Sequence, residues 1–252
     1  MDGPNNDLQV RKSHLANLLL ANRRGGTDWG EYYQPDGTPW SKKIANTFLL
    51  CCLLDYQMPS DVAWKNGARL INDILGDPDD VWQAITSVSD SEWKAKREEY
   101  KLHRFPAGHN RLWKIGKRIC DDYQGDTRRI WEGKDPCTAL VMLWDLGAGD
   151  QISRMVVGAL RDCGQLTGTV SDVKGDVYVC RVLGRAVLGE TTDPETGVRL
   201  AKQLHPADPW QLDAQLWDVG KSYCHTHNPS CSQCYLAPDC AYALRQREGR
   251  SL

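Results

Sequence analysis

The densest chemistry in this sequence lies in four cysteines near its C-terminal end, spaced Cys224-x6-Cys231-x2-Cys234-x5-Cys240. Thiolates in so compact a segment can wrap around one soft metal centre. Zinc is one alternative. A structural zinc site, however, usually uses two short knuckles separated by roughly a dozen or more residues, and this stretch has a single C-x2-C. One wide wrap suits an iron–sulfur cubane better than a tetrahedral ion. Cys224, Cys231, Cys234 and Cys240 are therefore expected to hold a [4Fe–4S] cluster. Four cysteine ligands leave such a cluster no open position for a substrate, so its role would be structural. The other six, Cys51, Cys52, Cys120, Cys137, Cys163 and Cys180, are scattered mostly among apolar residues. They read as small core side chains.

The elements that must position this segment are helical. Leu112, Ile115 and Ile119 recur at helical spacing, as do Ile152, Met155, Val156, Ala159, Leu160 and Cys163. Val179, Leu183, Ala186 and Val187 repeat the pattern, and so do Leu212, Leu216 and Val219. Such apolar stripes predict amphipathic helices, and strand-like alternation is scarce, so the fold class reads as all-α. Turn signals separate the helices at Pro35-Asp36-Gly37, Gly76-Asp77-Pro78, Gln124-Gly125-Asp126, Gly147-Ala148-Gly149 and the predicted loop Asp193–Gly197. Trp113 and Trp217 fall inside helical patterns and read as packing residues. There is no internal repeat and no low-complexity tract.

Composition narrows the function classes. With 252 residues, 41% of them hydrophobic, the chain can build one large core or two smaller ones. The net charge of −2 provides no global basic field. A nucleic-acid partner would have to be held by a local patch or by backbone dipoles. The opening MDGPNNDLQVRKSH is polar and reads as no signal peptide. The longest apolar run, Phe48 to Leu54, is far too short to span a membrane. The expectation is a cytoplasmic chain, nucleoid-associated if bacterial, monomeric and without a membrane partner. In that compartment ten cysteines argue for metal or buried thiols rather than a disulfide framework.

The cysteine spacing, with Val219-Gly220-Lys221 leading into it, resembles the cluster loop of the endonuclease III family of helix–hairpin–helix DNA glycosylases. Two further stretches carry the same resemblance. Leu143-Trp-Asp-Leu-Gly147-Ala148-Gly149-Asp150-Gln151 resembles the family's hairpin. A Gly-x-Gly turn entering a helix presents backbone N–H groups suited to a DNA phosphate. By itself the turn is equally an ordinary helix–helix connection. Lys174-Gly-Asp176-Val-Tyr-Val-Cys-Arg181-Val resembles the family's Val-Asp-x-x-x-x-Arg-Val stretch and implies that Asp176 is the catalytic carboxylate. An aspartate at a helix start is also what an N-cap looks like, and both roles can coexist. Leu54-Asp55-Tyr56-Gln57 resembles the segment whose glutamine fills the gap left by an extruded base, with a plain polar loop residue as the alternative. Arg104–His109 matches another DNA-facing loop more loosely.

The departures from the family pattern are informative. Bifunctional members carry a lysine two residues after the second hairpin glycine, and that amine forms a Schiff base with the sugar. Here the position is Gln151, and an amide cannot do this. The resemblance then implies a monofunctional glycosylase acting on double-stranded DNA with a damaged or mismatched base, its AP-lyase activity weak or absent. The alternatives are a non-catalytic DNA- or lesion-binding protein, or a bifunctional enzyme using Lys174, whose bland reading is a solvated loop lysine. The loop between the first two cysteines reads His225-Thr-His227-Asn-Pro-Ser rather than basic. The resemblance spans about Trp40 to Cys240. It implies a six-helix domain with the hairpin at 38–168, and an iron–sulfur domain formed by 1–37 with 169–252, flanking a DNA cleft.

Overall fold

The computed structural model describes residues 4–22, 38–168 and 172–249. The helices, in chain order, are α1 (Pro4–Ala21), α2 (Lys42–Leu54), α3 (Ser60–Arg69), α4 (Val81–Thr86), α5 (Asp90–Ala95), α6 (Arg97–Tyr100), α7 (Pro106–Tyr123), α8 (Pro136–Leu146), α9 (Asp150–Asp162), α10 (Val177–Leu183), α11 (Pro194–Leu204), α12 (Asp213–Ser222) and α13 (Ala241–Glu248). π-helical turns extend α3 over Leu70–Ile74 and α10 over Gly184–Leu188. No strand occurs among the described residues, so the all-α expectation holds. No described helix is long and apolar enough to cross a membrane. The chain divides into two units, Trp29–Gly168 and Met1–Asp28 with Thr169–Leu252.

In the unit Trp29–Gly168, α2 is apolar almost all round and buried from Ala45 to Leu54. A helix with no solvated face must be the centre of its unit. The predicted stripes pack there: Leu112, Ile115 and Ile119 of α7, and Ile152, Met155, Val156, Ala159 and Leu160 of α9, are all buried. Among the polar residues buried in this unit, Asn46 ties α2 to a turn. Asn46 on α2 donates to the Gly125 carbonyl (2.7 Å) and accepts from the Thr127 N–H and hydroxyl, both at 3.0 Å. It therefore fixes the predicted Gln124–Asp126 turn, where Gln124 and Gly125 have positive φ.

In the other unit, Val179, Val182 and Leu183 of α10 pack with Leu15 and Leu19 of α1, Leu200 and Ala201 of α11, and Leu216 and Val219 of α12. Gly220 brings α12 close to α10, since a Cβ there would meet the Tyr178 ring at 2.6 Å.

Two sequence expectations are corrected. Asp193–Gly197 is not a loop: Asp193 caps α11 by accepting from the Thr196 N–H (2.9 Å), and Pro194 opens the helix. An Asp-Pro pair is a start signal as much as a turn signal, because proline's missing N–H costs nothing in the first turn. Cys137 is not a core residue; it is exposed in the first turn of α8. Cys51, Cys52, Cys163 and Cys180 are buried as expected, and Cys120 is half-buried. The Pro35–Gly37 turn lies outside the described residues.

Candidate functional site

The hairpin is built by backbone conformation. Gly147 ends α8 at φ +97°, and the N–H groups of Gly147 and Ala148 return to the carbonyls of Trp144 and Leu143, both at 3.0 Å. A Cβ on Gly147 would touch nothing. Glycine is needed there for its dihedral angles, not for space. Ala148 is buried, and Gly149 at φ +80°, ψ 157° leads into α9. The first turn of α9 carries Asp150, whose carboxylate pairs with Arg154 (2.9 Å), and half-buried Gln151. The Arg154 guanidinium also lies over the exposed Trp144 ring, 5.8 Å from its centroid.

Gln57 lies in the same unit. It is exposed, with φ +53°, just after α2. Arg111 of α7 reaches both places: Nη2 donates to the Leu53 carbonyl (3.0 Å) and Nη1 to the Ala148 carbonyl (3.2 Å). Its guanidinium also sits 5.0 Å from the Tyr56 ring centroid. Burial pushes the Arg111 pKa down, with Tyr56 opposing. His103 stacks with the Tyr56 ring, their centroids 6.5 Å apart. The Phe105 N–H donates to His103 Nδ1 (3.0 Å), so Nε2 carries the proton and donates to the Tyr56 carbonyl (2.7 Å). Phe105 itself is exposed, with Arg104 over its ring.

Asp176, in the other unit, is the N-cap of α10. Its Oδ1 accepts from the N–H groups of Tyr178 (2.8 Å) and Val179 (3.0 Å), and the residue is half-buried. The next side chain, Val177, is 68% exposed, so the helix start faces outward. The helix dipole at this end favours an ionised carboxylate. Two nearby candidates sit beside it. Asp172 is buried and pairs with Lys202 (2.7 Å). The Lys174 backbone N–H donates to Asp213 (2.7 Å), fixing the approach to α10.

The cysteine loop corrects the main expectation. Cys224, Cys231, Cys234 and Cys240 are free thiols that line one small apolar cavity with Arg185, Leu236 and Tyr242. Among the described residues, however, no group of three or more His, Cys, Asp or Glu side chains is arranged to hold a metal ion. The predicted [4Fe–4S] site is therefore not formed, and this part of the chain is not a cluster domain. The physical reason is that spacing limits how far the chain reaches, not where each sulfur points. Cys240 Sγ donates to the Arg185 carbonyl (3.6 Å), and Cys224 Sγ accepts from Arg185 Nη1 (3.5 Å). Burial pushes the Cys234 thiol up to about 11 and raises Cys231 and Cys240.

The residues that hold these loops were not singled out by sequence reasoning, apart from Arg181 as a motif position. Arg181 donates to the carbonyls of Cys224 and Gly220, the latter at 2.9 Å. Arg185 donates to the carbonyls of His225 (2.6 Å) and Thr226 (2.9 Å) and stacks on Tyr242. The one available signal was their four-residue separation beside a core stripe, which puts both on one helical face.

No family model matches the chain. Over 75 residues it is 29% identical to endonuclease III from Thermotoga maritima; the matched stretch is 29% of this chain and 35% of that protein, about a third of the curated relative's length. Solved structures match almost end to end. A trapped endonuclease III–DNA covalent intermediate with an estranged adenine has TM-score 0.65 at 15% identity, covering 96% of this chain and 98% of that one. A non-covalent endonuclease III–DNA complex has TM-score 0.63 at 16% identity, with the same coverages. A thermostable thymine-DNA glycosylase has TM-score 0.59 at 15% identity, covering 97% of this chain and 100% of that one. The chain thus has the endonuclease III-like helix–hairpin–helix DNA-glycosylase fold.

Proposed function

We propose that this protein is a monofunctional DNA glycosylase of base-excision repair, hydrolysing the N-glycosidic bond of a damaged or mismatched base in double-stranded DNA. The observation that carries the reading is Asp176 at the outward-facing start of α10, held by two backbone N–H groups on one oxygen, in a fold shared with DNA-bound endonuclease III. A carboxylate there can stabilise positive charge developing on the sugar and orient or deprotonate the attacking water. The hairpin N–H groups of α9 and the exposed Gln57 are assigned to the phosphate and to the vacated stack. Gln151 supplies no amine, so water is the nucleophile and strand cleavage does not follow base loss.

The test is base release from a panel of lesion and mismatch duplexes, with and without alkali. The expected result is at least one substrate whose strand breaks only after alkali treatment. The charge-removing variant Asp176→Asn should lose on the order of a hundredfold or more in turnover. Failure on every lesion, or Asp176→Asn with wild-type rates, removes the reading. A borohydride-trapped covalent adduct would replace it with a lyase using another amine, Lys174 first. A second reading, lesion binding without turnover, draws on Asp176 already serving as a helix cap; it predicts lesion affinity with no base release.

A further inference from the structure

Three surface loops of the unit Trp29–Gly168 are joined by one line of side chains. Arg111 bonds the carbonyl of Ala148, between the hairpin glycines, and the carbonyl of Leu53 at the end of α2. Its guanidinium lies over the Tyr56 ring, and His103 stacks with the same ring. His103 in turn bonds the Tyr56 carbonyl and the Phe105 N–H. Gly108 makes this possible, because a Cβ there would overlap the imidazole. Among the described residues no carboxylate pairs with Arg111. A half-buried cation bonded to neutral carbonyls is costly unless its geometry is used. A guanidinium is also a rigid planar fork that can hold two carbonyls at a fixed separation, which an ammonium cannot.

We propose that Arg111 is a positioning residue that couples the helix–hairpin–helix turn to the Gln57 turn, so that the two loops are ordered as one unit. Any part this plays with DNA rests on the reading of those loops as DNA contacts.

The experiment has two arms. In the first, hydrogen exchange is measured on the DNA-free protein. Arg111→Met should speed exchange at 53–58 and at 147–151 together by about tenfold, as expected for loss of bonds to a charged donor, while α4 amides keep their protection. Arg111→Lys, which retains the charge but not the planar fork, should leave the two segments less protected than Arg111 does. Faster exchange throughout the unit, or at one loop only in Arg111→Met, overturns the coupling.

In the second arm, fluorescence anisotropy compares a plain duplex with the same duplex carrying a tetrahydrofuran abasic analogue. The preference for the analogue reports what Gln57 contributes. Gln57→Ala should reduce that preference in the wild type and have little further effect in Arg111→Met. Equal effects in both backgrounds overturn the coupling. A wild type that binds neither duplex would instead overturn the DNA reading of the loops, and the exchange arm would still decide whether Arg111 couples them.

Discussion

The hairpin at 147–149 and the loop at 224–240 are both short motifs recognisable by spacing, and they fare differently. The hairpin's turn comes from backbone conformation that two glycines with positive φ supply locally, and one side chain from outside it, Arg111, bonds its middle carbonyl. The cysteine loop was expected to aim four side chains at one point. It is instead shaped by Arg181 and Arg185, more than thirty residues away in sequence, and its thiols line a cavity without forming a metal site. A motif made of dihedral angles is fulfilled by its own residues. A motif that requires side chains to converge depends on what packs behind it.

That contrast can be broken most decisively at Arg185. Its guanidinium is buried and satisfies the His225 and Thr226 carbonyls. Arg185→Ala leaves those acceptors without their donor and opens a space beside Tyr242. The expected loss is about 3 kcal/mol in urea unfolding. Labelling of Cys224 and Cys231 by a thiol reagent should accelerate at the same time. Unchanged labelling would mean that the loop holds its own shape, and the distinction from the hairpin would collapse.

The matching change at the hairpin is Gly149→Ala. At φ +80°, ψ 157° the residue occupies a region that is essentially glycine-only. The expected cost is about 2 kcal/mol. Gly147→Ala, in the milder left-handed region at φ +97° and ψ 18°, should cost about 1 kcal/mol. If the turn is purely a matter of dihedral angles, the ranking follows these angles, and duplex affinity falls in the same order. Equal costs would show that side-chain packing sets the hairpin after all.

What the sequence made legible follows the same division. The stripes Leu112/Ile115/Ile119 and Ile152–Leu160 describe buried faces because helical periodicity is local, and the turns at Gly76, Gly125 and Gly147 follow from glycine's freedom at positive φ. Asp193–Gly197 was misread because Asp-Pro starts helices as readily as it makes turns. Arg111 was invisible: a mid-helix arginine looks like any solvated one until the carbonyls of Leu53 and Ala148, fifty-eight and thirty-seven positions away, are brought to it. The cysteine spacing was legible but did not determine a metal site, since the aim of each sulfur depends on residues outside the motif.

At Asp176 the local and the chemical roles can be separated by substitution. Asn caps a helix about as well as Asp, whereas Ala cannot accept from the Tyr178 and Val179 N–H groups. Asp176→Ala should therefore cost about 1 kcal/mol, and Asp176→Asn only a few tenths. If turnover is lost in both variants while stability falls in one, the carboxylate's charge has a role beyond the cap. If Asp176→Asn keeps turnover, the residue is a cap alone.

The smallest effect sharpens the comparison through pH. His109 on α7 is fully buried, stacked on Trp93 at 4.8 Å, with Nε2 bonded to the Trp93 carbonyl (2.8 Å). Burial pushes its pKa down; the bond to Trp93 opposes this, and the charges of Arg97 and His103 add to the lowering. A histidine whose folded pKa lies below its unfolded value binds fewer protons folded than unfolded within that window. Its contribution is complete above the unfolded value of about 6.5 and is lost as pH falls through the interval down to the folded pKa. Below the folded pKa the loss stops growing. Hydrogen exchange between pH 7 and 5, corrected for intrinsic rates, should show α5 and α7 losing protection while α10 and α12 keep theirs. His109→Gln should flatten the dependence. Equal acid sensitivity in α10 and α12, or a slope that survives His109→Gln, would place the titrating group elsewhere. The hairpin's supporting helix would then be no more dependent on a buried side chain than the cysteine loop's.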